Sequence, residues 1–194
     1  MGFAQGEEKM CNNAIGTFTD PRDGKVYRTV TIKKQIWLAE NLDYAGNGGV
    51  YYDKASSPPF AKAGRLYTWQ QAIAAAPPGW HLPSDDEWNV LVKNTGGKFA
   101  AGNRLKATGG WNNYIGKNGR PKNGNGRDVY NFSALPGGYY SSKSKLFRYV
   151  GDDGRWWSSS QGGINACKVS HDKPSAKILS TVNGWLCSIR CVKD

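Results

Sequence analysis

A membrane-spanning helix is the first thing this sequence lacks, because no run of roughly 18 apolar residues occurs anywhere in it. Histidine is scarce as well, with only two, His81 and His171. Neither stands at zinc-ligand spacing to a cysteine, and no C-x-x-C pair occurs among the four cysteines, so a structural zinc site is not expected. Two histidines also give poor support for a hydrolase. Leucine is sparse and helical periodicity is brief, which argues against a helical bundle. Acidic residues are outnumbered, 15 against 26 Lys and Arg, for a formal net charge of +11. Such a balance can favour an anionic partner. The cations are spread along the chain, however, with Lys33-Lys34 the one close doublet, and nucleic acid is not expected as a partner. The opening M-G-F-A-Q-G-E-E-K-M has no apolar core of a signal segment, and residues 1–16 are expected to be disordered.

What is present is aromatic and loop-forming: 25 Gly, 9 Pro, 8 Trp and 10 Tyr in 194 residues. One domain over residues 17–194 is expected, with a few large rings supplying most of the burial. Its organising stretch is Pro78 to Val92. Pro77, Pro78 and Gly79 force a turn. Ser84 and Glu87 then form a capping box, and Asp85, Asp86 and Glu87 place negative charge at the positive end of a helix. Trp88, Leu91 and Val92 share a face that must be buried, and Trp80 and Leu82 look inward. An earlier helix is expected over Trp69 to Ala76, capped by Thr68 and Gln71, with Trp69, Ala72, Ile73 and Ala76 as its apolar face. One further turn fits Ala100 to Lys106.

Strands flank these helices. Thr17–Thr19 and Lys25–Ile32, joined across Asp20-Pro21-Arg22-Asp23-Gly24, read as a hairpin with Val26, Val30 and Ile32 on one parity. Gln35 to Leu38 is a further extended piece. Six short strands follow in the last third, at 138–141, 146–150, 155–159, 166–170, 177–182 and 185–192, and read as an antiparallel sheet. In the last of these Trp185, Cys187, Ile189 and Cys191 share one face and Ser188 and Arg190 the other. The adjacent Trp156 and Trp157 must point to opposite sides, one packing and the other able to be exposed. Between helices and strands, residues 108–131 are too polar to build an element. The even cysteine count suggests two disulfides. Cys187 and Cys191 lie too far apart along one strand to pair, and the favoured bridges are Cys167–Cys187 and Cys11–Cys191.

Six ordered motifs carry a resemblance: W-L-A-E-N-L at 37–42, G-R-L-Y-T-W at 64–69, P-P-G-W-H-L-P-S-D-D-E-W at 77–88, F-S-A-L-P-G-G-Y at 132–139, W-W-S-S-S at 156–160 and I-R-C-V-K-D at 189–194. They resemble the Fibrobacter succinogenes major paralogous domain family. That family is similar to the C-type-lectin-like fold in the version shared with formylglycine-generating enzymes. The resemblance implies an α+β domain with two main helices, short antiparallel strands, neighbouring terminal strands and long irregular loops that display a binding surface. It also implies a secreted or surface-anchored bacterial protein, with a lipid anchor a possible addition upstream.

The expected function is a non-catalytic binding module for a glycan or a surface protein, with a structural part in a surface assembly as the alternative. Rings stack on sugar faces and amides satisfy hydroxyls. The candidate contacts are therefore Trp111, Asn112, Asn113, Tyr114, Asn125, Arg127, Tyr139, Tyr140, Arg155 and Trp156. Enzymatic chemistry of the formylglycine-generating kind needs a metal-holding cysteine pair, whereas these cysteines read better as disulfides. Calcium-dependent sugar binding in true C-type lectins uses an E-P-N or Q-P-D tripeptide, and neither occurs. No cofactor is expected, beyond a structural calcium ion that Asp152 or Asp153 could help to hold.

Overall fold

The computed structural model describes residues 14–52, 63–160 and 164–194. Among these, the chain runs β1 (Ile15–Thr19), β2 (Val26–Ile32), β3 (Gln35–Leu38), a short 3-10 turn at Ala45–Asn47, α1 (Trp69–Ala75), β4 (Trp80–His81), α2 (Asp85–Asn94), α3 (Ala101–Leu105), β5 (Tyr114–Ile115), β6 (Pro121–Lys122), β7 (Tyr139–Ser141), β8 (Leu146–Arg148), β9 (Asp153–Trp157), β10 (Asn165–Ser170), β11 (Ala176–Ser180), β12 (Trp185–Leu186) and β13 (Val192–Lys193). It is an α+β fold dominated by antiparallel strands. The strands form a five-stranded sheet in the order β1-β2-β3-β13-β4, two three-stranded sheets, β11-β10-β9 and β12-β7-β8, and the small hairpin β5-β6. The C-terminal strands therefore divide among three sheets instead of making one.

Local chemistry starts each helix where the sequence places it. Thr68 and Ser84 both complete capping boxes, each side chain accepting from the N3 amide while Gln71 and Glu87 reach back. Each cap is worth about 1 kcal/mol. Trp88, Leu91 and Val92 of α2 are buried, and Trp88 packs on Trp37 at 4.8 Å between centroids and on Trp156 at 6.4 Å. In α1 the buried face is Ala72 and Ala75, with Ile73 exposed. The register is therefore rotated from the expected one, because the short helix turns alanines toward the sheet.

Strand β1 begins at Ile15, so Ile15 and Gly16 belong to the sheet and not to the disordered segment expected over 1–16. Residues 1–13 lie outside the described residues. Val30 and Ile32 are buried as expected, but Val26, on the same parity, is exposed at the hairpin end. Two buried clusters share the interior. One holds Val30, Ile32, Trp37, Trp88, Trp111, Phe132, Trp156, Cys167 and Val169. The other holds Tyr27, Leu38, Leu42, Tyr67, Trp80, Trp157, Cys187, Ile189 and Cys191. Trp156 and Trp157 do point to opposite sides of β9, but each enters one of these clusters, so neither is exposed.

Residues 187–191 do not continue β12 as a strand. They run through the interior with every side chain buried, and Arg190 is 0% exposed. Among the described residues its guanidinium meets no carboxylate. Instead Nε and Nη2 donate to Asn41 Oδ1 at 3.2 and 2.8 Å, and Nη1 donates to the carbonyls of Leu38 and Phe132. Asn41 Oδ1 also accepts from the Trp156 indole at 2.8 Å, while Asn41 Nδ2 donates to the Ala63 carbonyl at 2.7 Å. Burial pushes the Arg190 pKa down to about 9. This neutral cage is what keeps a buried cation tolerable.

The expected Cys167–Cys187 bridge does not form. Cys167, Cys187 and Cys191 are free, buried thiols. Cys167 sits in one cluster and Cys187 in the other, on opposite sides of β9. Cys11, the expected partner of Cys191, lies outside the described residues. Burial raises all three thiols to about 12, so they behave as small apolar side chains.

Candidate ligand-binding surface

The polar stretch 108–131 is more structured than its composition suggests. Trp111 is 4% exposed and donates its indole N–H to the Ala134 carbonyl at 3.1 Å, so it is a core residue and out of a ligand's reach. A buried lysine anchors the stretch from beneath. Lys106 Nζ donates to the carbonyls of Gly124, Ser170 and His171 at 2.7, 3.2 and 3.2 Å and lies 5.1 Å from the Trp111 ring centre. Burial pulls its pKa down to about 8. Gly124 is obligatory, because a Cβ there would collide with the Asn112 carbonyl. Backbone carbonyls that the sequence cannot display thus order a segment that its side chains do not.

The other expected contacts divide into groups. Trp156 is core and bonds Asn41, so it too is out of reach. Asn125 is partly buried, and its Oδ1 accepts from the Trp111 amide at 3.0 Å, which makes it a loop brace. Asn113 and Arg127 are exposed, and the Arg127 amide bonds the Asn103 carbonyl. Asn112 and Tyr114 come together with two residues that sequence reasoning did not choose as contacts. Asn112 Nδ2 donates to Asp152 Oδ1 at 3.0 Å, Tyr114 packs edge-on to His171 at 5.7 Å, and His171 Nδ1 lies 3.2 Å from the Asp152 carbonyl.

Tyr139 and Arg155 belong to a second and larger group, whereas Tyr140, next to Tyr139 on β7, points to the opposite face and packs on Phe147 at 4.9 Å. Tyr139 stacks on Trp185 at 4.1 Å and on Tyr149 at 6.0 Å, each with an interplanar angle of 26°. The Arg155 guanidinium carbon lies 4.6 Å from Tyr139, 4.9 Å from Trp185 and 5.4 Å from Tyr149. Arg155 is only 6% exposed, and its Nη2 donates to Asp153 at 2.8 Å. Ring faces are negative, so three of them around one guanidinium hold both the cation and the rings in place. Burial pushes the Asp153 carboxyl up, but hydrogen bonds from Lys168, Arg155 and Ser170 outweigh it and leave the pKa lowered. The two carboxylates considered for calcium are therefore engaged within the fold, Asp152 by Asn112 and Asp153 by these three donors. Among the described residues no three His, Cys, Asp or Glu side chains gather.

Two local features build this stack. Gly138 takes φ +63, and a Cβ there would strike the Arg148 carbonyl, so glycine lets β7 start tightly against the end of β8. Tyr149 takes φ +56, a conformation uncommon for a residue other than glycine, and it is 54% exposed. Its carbonyl accepts the amides of Asp152 and Asp153, which fixes the turn. Strain at an exposed aromatic is the kind of feature that function retains. A cavity of about 570 Å³ opens beside it, lined by Tyr139, Ser141, Ser144, Phe147, Arg148 and Tyr149. Trp185 lines another of about 230 Å³ with Trp69, Trp157 and Asn183.

Residues 30–193 match the Fibrobacter succinogenes major domain. The chain belongs to that family. Neither a curated protein nor a solved structure matches it. The family's domain thus takes in every strand from β3 to β13 together with the stack, while β1 and the first part of β2 precede the match. Tyr149, Trp185 and Phe147 are the site residues that sequence reasoning missed. Tyr149 lies two residues before Gly151 and Trp185 directly follows Asn183-Gly184, and a ring beside a turn was the available signal.

Proposed function

We propose that this domain is a non-catalytic binding module, acting outside the cell or at its surface, that takes a glycan or protein ligand on the Tyr139–Tyr149–Trp185 stack. The observation that carries the reading is the pairing of a strained, exposed Tyr149 with a near-parallel set of rings beside an open cavity. Such rings are rigid and present a flat apolar face with a polar edge, which suits sugar rings and recognition surfaces alike. Asn112 and Tyr114, reached through the turn at 149–153, add polar contacts near it. The domain is read as C-type-lectin-like from its motifs, its capped helices and the sharing of one sheet by β1 and β13. In that sheet β13 lies between β3 and β4, so the terminal strands are not the neighbours the resemblance implied but are separated by β2 and β3. The extracellular location rests on the family resemblance, since the expected bridge within the described residues is absent.

A screen of immobilised glycans, run with wild type and with Tyr149→Ala, tests the reading. Binding that weakens roughly tenfold in the variant, about 1.4 kcal/mol, supports it. A ligand held equally well by both proteins places the site elsewhere. Tight association with one surface protein and with no glycan, unaffected by the variant, favours a structural part in an assembly.

A further inference from the structure

We infer that the ligand of this surface is an anionic polysaccharide, a sugar chain bearing carboxylate or sulfate groups; this rests on the binding-module reading above. Arg155 of β9 stands directly opposite Lys168 of β10, and Lys168 stands directly opposite Lys177 of β11. Directly opposed residues in antiparallel strands share a face, so three cations form a row across the sheet. Like charges in that arrangement repel. One carboxylate, Asp153, answers two of them, bonding Arg155 and Lys168 at 2.8 Å each. Lys177 is exposed and has no ion-pair partner among the described residues.

The aromatic stack continues the row on its other side. Arg155 is held by Tyr139, Tyr149 and Trp185, and Tyr139 stands opposite Arg148 on β8. Arg148 lines the larger cavity with Tyr149, is exposed, and likewise has no ion-pair partner among the described residues. The connection from β7 to β8 adds Lys143 and Lys145, again exposed and without an ion-pair partner among the described residues, and no acid occurs from Val129 to Gly151. Cations therefore lie on both sides of a ring stack whose one neighbouring buried acid is already engaged. A neutral glycan would use the rings and leave the repulsion standing. A sugar chain carrying periodic negative charge would stack on Tyr149 while its anions meet Arg148 on one side and Lys177 on the other. The overall charge of +11 adds to the attraction at long range.

Affinity electrophoresis through gels containing polygalacturonate, dextran sulfate or neutral dextran tests the assignment, with a single-stranded DNA oligonucleotide titrated in parallel. The expected result is retardation by polygalacturonate or dextran sulfate, the two arms telling carboxylate from sulfate, and little by neutral dextran. Retardation should weaken as salt is raised. Arg148→Gln combined with Lys177→Gln should weaken it roughly tenfold, with the thermal midpoint unchanged because both side chains are exposed. Tyr149→Ala should weaken it as well. Retardation by neutral dextran that disappears in Tyr149→Ala would overturn the anionic assignment while leaving the binding-module reading in place. Retardation by the charged polymers that the double variant keeps in full, DNA binding as tight as polysaccharide binding, or no retardation in any gel would each overturn it too.

Discussion

Replacing Asn41 by leucine should be among the most damaging single changes in the chain, although it swaps a polar core residue for an apolar one of similar size. Asn41 Oδ1 accepts from Arg190 Nε, Arg190 Nη2 and Trp156 Nε1. All three donors are buried, and among the described residues no carboxylate pairs with Arg190 to take over when Asn41 is lost. Stranding a buried cation costs about 3–5 kcal/mol. For a chain of this size that lowers the thermal midpoint by roughly 6–20 °C. Arg190→Met removes the cation with its need for acceptors, leaving the carbonyls of Leu38 and Phe132 short of donors, and should cost less, about 1–3 kcal/mol. The double variant should therefore lie well below the sum of the two, by about 1.5–3 kcal/mol. Urea unfolding of the four proteins, followed by tryptophan fluorescence, measures the cycle. An Asn41→Leu cost under about 1 kcal/mol, or a strictly additive double variant, would refute the claim that this cage is what permits a buried arginine.

Three other expectations follow from the same packing. Trp111→Ala should cost about 3–5 kcal/mol because the ring is core, whereas Tyr114→Ala on the partly exposed hairpin should cost about 1 kcal/mol or less; thermal melts of both rank them. His81 lies 2.7 Å from Glu87 and 2.6 Å from Asp194, and although burial alone would lower its pKa, these bonds raise it, while Glu87 is lowered despite burial. A raised histidine stabilises fully below its ordinary 6.5 and stops as pH rises through the higher folded value; a lowered glutamate stabilises above its ordinary 4.5 and stops on acidification, so stability from this group should peak between those values, modestly because both are part-exposed, and His81→Ala should flatten that peak in melts taken across pH. Cys167, Cys187 and Cys191 should resist a thiol reagent in the native protein and react once urea unfolds it; peptides recovered as a Cys167–Cys187 disulfide would contradict the free-thiol arrangement.

Helix positions were legible in the sequence because their signals are local. Thr68 with Gln71 and Ser84 with Glu87 announce two helices in four residues each, and both form as written. Strand positions were legible for a similar reason, since turn residues bracket them. Which sheet each strand joined was not. Residues 185–192 read as one strand by alternation, but the interior is wide enough there to take both faces, and the chain breaks from the sheet to place Arg190 among carbonyls. No local pattern reveals that those carbonyls converge. Trp111 misleads for the same reason: the groups that order its segment are the Lys106 ammonium beneath it and backbone oxygens, and composition counts neither arrangement. Half of the candidate site was visible as aromatic and cationic residue types. The rest depended on Gly138 and a left-handed Tyr149 bringing β7, β8 and β12 around one arginine.

The ring stack around Arg155 is the proposed seat of the ligand. Isothermal titration of polygalacturonate into wild type and into Tyr149→Ala, with a thermal melt of each to confirm the fold, tests this directly. The expected result is a binding isotherm for wild type and a roughly tenfold weaker one for the variant at nearly unchanged midpoint, since Tyr149 is more than half exposed. Equal affinity in two equally stable proteins would contradict the claim.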